Sequence, residues 1–205
     1  MAGEVAHIVY AARVRVHLKD QVKNHLYWIG TLFPDIRHLG IVSRHRTHAA
    51  TVALNTLVGQ DDFETGTRVH AWVDATRQRF LDEANIKELL PWHPFVPHAL
   101  KLLEDELLYS SFDDWDFIGR LLNKVYDEEL HFVSAPERVQ VWHGVLKDYF
   151  ESAPTDLSRY KLSLAIGLTE QSAEEMNNVV KTLRAQKEVQ PLIERFLHHL
   201  EYLLR

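Results

Sequence analysis

Apolar residues recur at helical spacing along almost the whole chain, and no stretch alternates as a half-buried strand would. Val5, Ile8, Val9, Ala12 and Val16 share one face of a first helix, expected over residues 3 to 18. Apolar positions continue through Leu26, Ile29 and Leu32 until Pro34, which biases Phe33 out of the helical region and ends the element. Ser43 can open a helix running through His48, Val52, Ala53 and Leu57 to a stop near Gly59. Asp61 with Glu64 reads as a capping box for a long helix over residues 62 to 84. Ser134 with Glu137 reads as a second box, ahead of Val139, Trp142, Val145 and Phe150.

Pro97 suits the first turn of a helix whose Leu100, Leu103 and Leu107 form a stripe. Two more helices are expected over residues 169 to 187 and 191 to 205. PWHPFVP, residues 91 to 97, reads as a loop within one domain. The expectation is a single all-α domain over residues 1–205, a bundle of roughly eight helices.

Composition narrows the chemistry. The chain has no cysteine and 13 histidines, so a metal would be held by nitrogen and oxygen ligands. A formal charge of −6 without a basic tail argues against general nucleic-acid binding. No window is apolar enough for a membrane span, and the N-terminus lacks the uninterrupted core of an export signal, so a cytoplasmic protein is expected.

The strongest local signal is GTRVHAWVD, residues 66 to 74. His70 and Asp74 stand at i and i+4, so their side chains leave one face of a helix close enough to share an ion. Gly66 stands one turn before His70 and leaves space above the pair. Taken alone, the pair is more often an ordinary hydrogen-bonded couple. His7 sits among apolar neighbours in the first helix, where a satisfied core histidine is the plain reading. Asp35 follows Pro34 at a helix end, and His48 falls in what reads as a solvated first turn. Asp105 shares a face with His98, and Glu104 reads as part of a charged outer face. Arg37, Arg44 and Arg46 flank Asp35 and His48, where they can fork onto a phosphate or merely solvate a loop.

As an ordered set, His7, Gly30-x-x-x-Pro-Asp35, His48 and Gly66-x-x-x-His70-x-x-x-Asp74 resemble the all-helical zinc-dependent phospholipase C family and its relatives, the single-strand-specific zinc nucleases. The pattern is also similar to bacterial acyl-carrier-protein phosphodiesterases, with Asp105 in the place of a later acidic helix. The resemblance covers roughly the first half of the chain. It departs from the phospholipase pattern after Asp74, where no histidine begins an HxxxE.

The resemblance implies a phospholipase C-like fold and one or two divalent ions (Zn, Mn or Fe). Their ligands would be His7, Asp35, His48, His70, Asp74 and Asp105, with Asp35 and Asp74 catalytic. Arg37, Arg44 and Arg46 would bind the phosphate of a small-molecule or carrier-linked phosphodiester. The competing expectations are an HD-type nucleotide phosphohydrolase and a non-catalytic helical protein. The HD reading lacks its adjacent His-Asp dipeptide anywhere in the chain.

Overall fold

The computed structural model describes residues 2–48, 52–90 and 92–205. Among the described residues there are twelve α-helices and no strand. They are α1 (Glu4–Leu18), α2 (Leu26–Leu32), α3 (Arg44–Thr47), α4 (Asp62–Glu83), α5 (Ile86–Leu89) and α6 (Val96–Leu108), then α7 (Trp115–Leu121), α8 (Asp127–Leu130), α9 (Pro136–Phe150), α10 (Asp156–Ala165), α11 (Glu170–Arg184) and α12 (Val189–Leu203). The count exceeds the expected eight because four-residue helices α3, α5 and α8 are too short to carry a hydrophobic period.

Helix α1 is buried nearly all round: Val5 to Ala11 are all inaccessible, histidine and tyrosine included. A helix apolar on every side belongs in the interior, and α1 packs against α2, α4, α6 and α12. One apolar cluster runs from Ala2 to Leu200 and joins both halves of the chain around it. No helix among the described residues is long and apolar enough to cross a membrane.

The closest contact is between α2 and α4, and two glycines make it possible. A Cβ on Gly30 would fall 2.0 Å from the Phe63 carbonyl oxygen, and one on Gly66 would fall 2.1 Å from that of Tyr27. Each helix therefore lies against the backbone of the other. Gly66 was expected to leave open space above His70; that space is filled by α2.

Local chemistry shifts several expected boundaries. Asp61 accepts from Glu64 N–H at 2.7 Å as expected, but the Glu64 carboxylate accepts from Gln60 rather than Asp61, so only half of the box forms. The second box does not form: α9 starts from Ala135 with Pro136 in its first turn and no side-chain cap. The helix expected from Ser43 to Leu57 stops at Thr47; His48 is extended, with φ −117° and ψ 122°. Residues 49–51 of that expected helix lie outside the described residues, and a short 3-10 turn follows at Leu54–Thr56. Helix α10 was not foreseen, although Thr155 caps it by accepting from Ser158 N–H.

Candidate metal centre

Four segments converge in the core beneath the α2–α4 contact. Helix α1 supplies His7, the 3-10 turn Phe33–Leu39 supplies Asp35, the end of α3 supplies His48, and α4 supplies His70 and Asp74. Pro34 and the left-handed Gly40 (φ 70°) bracket that turn, which carries the chain off α2 and holds Asp35 buried. All five side chains are buried. Ligand atoms of His7, His70 and Asp74 form one group, and those of Asp35, His48 and His70 a second, each spanning no more than 4.8 Å. His70 belongs to both.

The separations suit a shared cation. His48 Nε2 and His70 Nε2 stand 3.2 Å apart, and His7 Nε2 is 3.3 Å from Asp74 Oδ1. Asp74 Oδ2 is 3.7 Å from His70 Nε2 and 3.9 Å from His48 Nε2, while Asp35 Oδ2 is 4.0 Å from His70 Nε2. Two ligands about 2.1 Å from one tetrahedral ion stand about 3.4 Å apart. The chemistry of the donor set fits as well: imidazole and carboxylate without thiolate suits Zn, Mn or Fe. His7 is fully buried: its Nε2 faces Asp74, and its Nδ1 has no hydrogen-bond partner among the described residues, an arrangement costly for a polar atom left unsatisfied. The His7 and His70 rings stack at 3.7 Å between centroids and 11° between planes.

Protonation follows from the surroundings. Burial, reinforced by the neighbouring His7, lowers the His70 pKa to about 3, and burial lowers that of His48 to about 4. Both rings are neutral near pH 7, the form that binds metal. Burial alone would push Asp35 up, but its hydrogen bond to His38 and the nearness of the His70 and His38 rings hold it well below the usual carboxylate range. Asp74 is likewise held low against burial, by the His7 hydrogen bond and the nearness of the His70 and His7 rings. Both carboxylates are anionic.

The remaining expected residues go elsewhere. Asp105 is in neither group: it accepts from Ala6 N–H at 2.8 Å and from the Tyr149 hydroxyl at 3.0 Å, which fixes the buried start of α1. Glu104, expected on an outer face, is buried and bonded to Arg77 Nε at 2.7 Å and to the Tyr10 hydroxyl. Arg37 is half-buried, with its guanidinium 3.1 Å from Asp35 Oδ1 and 3.2 Å from His38. Arg44 and Arg46 are exposed, and Arg46 lines a surface groove with His45, His48 and Arg68.

Sequence reading missed three contributors. His38 lies 3.4 Å from Asp35 Oδ1 at i+3, a spacing that was readable. The Thr31 carbonyl, 2.9 Å from His70 Nδ1, and Ala2 N–H, which donates to Asp74 Oδ1 at 2.7 Å, are backbone groups with no signature in residue type. Asp35 also lines a cavity of about 210 Å³ that opens beside the cluster. Compared with known protein families, with curated proteins and with solved structures, the chain matches none.

Proposed function

We propose that this chain is a metal-dependent phosphoesterase in which His7, Asp35, His48, His70 and Asp74 hold one or two divalent ions. The observation that carries the reading is the convergence of these side chains from four segments, with nitrogen and oxygen atoms spaced as around a common cation. When bound, such an ion lowers the pKa of its water from ~15.7 towards ~7 and polarises a phosphoryl oxygen.

The chain's own groups set up the rest. The Thr31 carbonyl fixes the His70 tautomer so that Nε2 presents a lone pair to the site. Ala2 N–H holds Asp74, while Arg37 and His38 hold one oxygen of Asp35 and leave the other towards His70. Asp35 alone of the five lines this cavity, so substrate entering it meets the metal centre at the Asp35 edge. The substrate class is a small or carrier-linked phosphodiester, and the phospholipase C-like assignment is part of the same proposal.

The test combines metal analysis with hydrolysis. Protein purified without chelator or affinity nickel should carry zinc, manganese or iron and hydrolyse bis-p-nitrophenyl phosphate. Chelation should abolish the activity, and added Mn²⁺ or Zn²⁺ should restore it. Protein that holds no metal, or whose hydrolysis is indifferent to chelator, would overturn the reading.

A further inference from the structure

The cavity beside Asp35 has two unlike linings. Glu4, Asp35 and Lys101 give it a polar side, and Leu162 of α10, Ile166 and Leu168 of the connection after it, and Met176 of α11 give it an apolar one. Asp35 is the one residue, among those described, common to this lining and to the ligand groups. A molecule in the cavity therefore touches both the apolar wall and the edge of the metal centre.

Lys101 supplies a cation to the polar side. No carboxylate among the described residues lies within ion-pair distance of its half-buried ammonium, and Asp35, Asp74 and Glu4 attract it only from farther away. A half-buried cation without a close partner favours an incoming anion. The nearby acids oppose this less than their number suggests. Asp105 is turned onto Ala6 N–H and the Tyr149 hydroxyl. Burial, with repulsion from Asp35 and Asp105, holds Glu4 well above the usual carboxylate range, which favours its neutral form.

Size completes the description. At about 210 Å³ the cavity is smaller than the roughly 300–1,000 Å³ of pockets for drug-sized ligands, so a single ring or short branched chain fits and a long acyl chain does not.

We infer that the cavity is the substrate-selecting pocket for a small amphiphilic phosphoryl anion. Its charged oxygens lie between Lys101 and the Asp35 edge of the metal centre, and its compact apolar substituent lies against Leu162, Ile166, Leu168 and Met176. The choice of anion rests on the phosphoesterase reading; the two-sided pocket does not.

Two phosphonates of equal charge and unequal substituent test it, since neither is hydrolysed at its P–C bond. Titration calorimetry on the full chain in zinc-containing buffer should show phenylphosphonate binding about tenfold or more tighter than methylphosphonate, from apolar burial. Ile166→Trp and Leu168→Trp, both at half-buried positions, should each bring the ratio to about one by filling the apolar end. Lys101→Met should weaken both ligands about tenfold, and Lys101→Arg should restore most of the loss. Thermal unfolding of each variant checks the fold, and either tryptophan variant suffices if the other does not fold. A ratio near one in the wild type, a ratio that survives the tryptophan, or affinities unchanged by Lys101→Met would each overturn the inference. Zinc content and hydrolysis, measured on the same preparations, separate the two claims. Selective binding in a chain without metal or hydrolysis removes only the phosphoesterase reading; metal-dependent hydrolysis without selectivity removes only the pocket.

Discussion

His70 Nδ1 lies 2.9 Å from the Thr31 carbonyl oxygen, and because a carbonyl can only accept, that nitrogen carries the proton. The other nitrogen, Nε2, is left with its lone pair facing His48, Asp35 and Asp74. One backbone oxygen of α2 thus sets the tautomer of a side chain on α4, which is how metal-binding histidines are commonly oriented.

If that orientation serves a metal, His70→Ala should remove both the bound ion and hydrolysis, and Asp74→Ala should do the same. Losing a primary ligand should lower metal affinity by more than the 10–100-fold typical of losing an outer partner. The measurement is metal stoichiometry by elemental analysis beside activity. Arg44→Ala and Arg46→Ala, at exposed positions off the Asp35 cavity, should leave the bound metal intact. Full metal occupancy in His70→Ala would show that the imidazole is only a core group.

The contact that delivers Thr31 to His70 depends on two missing side chains. Gly66→Ala would set a methyl 2.1 Å from a backbone oxygen, and Gly30→Ala one at 2.0 Å, and backbone cannot step aside as a flexible side chain can. Each should destabilise the fold by about 3 kcal/mol or more, despite the roughly 1 kcal/mol that alanine gains over glycine inside a helix. Gly144 in α9 meets nothing within 4 Å of a built Cβ, so Gly144→Ala should be stabilising by up to about 1 kcal/mol. Denaturant unfolding of the three variants decides it; equal effects at Gly66 and Gly144 would contradict the packing argument.

These glycines also mark the limit of what the sequence discloses. Helical periodicity is a property of single segments, so α1, α4, α6, α11 and α12 were readable within a few residues. The Gly30, Asp35, Gly66, His70 and Asp74 spacing was readable too, yet Gly66 looked like room above a site. Only the fold shows that α2 occupies the room. His48 looked helical because Ser43 is a good cap, but the helix ends before it and the extended backbone turns its ring inward. Glu104 was misread for a different reason. A charged residue beside a leucine stripe usually faces water, and nothing near it in sequence announces Arg77 on another helix.

That buried pair makes its own prediction. Glu104 and Arg77 are both almost inaccessible, joined at 2.7 Å and 2.6 Å, with the Tyr10 hydroxyl also donating to Glu104. Removing one partner of a buried pair strands the other's charge and costs about 3–5 kcal/mol. Glu104→Leu and Arg77→Met should each show such a loss. The double variant should recover a large part of it, because two apolar side chains leave no charge stranded. Strictly additive losses in a double-mutant cycle would count against the coupling.

Asp105 offers a stability test against pH. Burial pushes its pKa up to about 7, with repulsion from Glu104 adding to it, although the hydrogen bonds from Ala6 and Tyr149 favour the charged form. The unfolded chain should titrate this group near its ordinary 3.8. Between these values the folded state keeps a proton that the unfolded state has released. Stability from this residue is therefore greatest below about pH 4, falls by about 1.4 kcal/mol per pH unit as pH rises, and levels off above about 7. Asp105→Asn keeps an acceptor for Ala6 N–H and an amide for Tyr149 but cannot titrate. The variant's stability minus that of the wild type should therefore rise between pH 4 and pH 7 and then become constant. Taking the difference cancels the other titrating groups, including His48 and His70, unless they couple strongly to position 105. Chemical denaturation of both proteins across this range measures the difference directly. A difference that falls with pH would mean that the ionised carboxylate is stabilised at the start of α1, with hydrogen bonding outweighing burial.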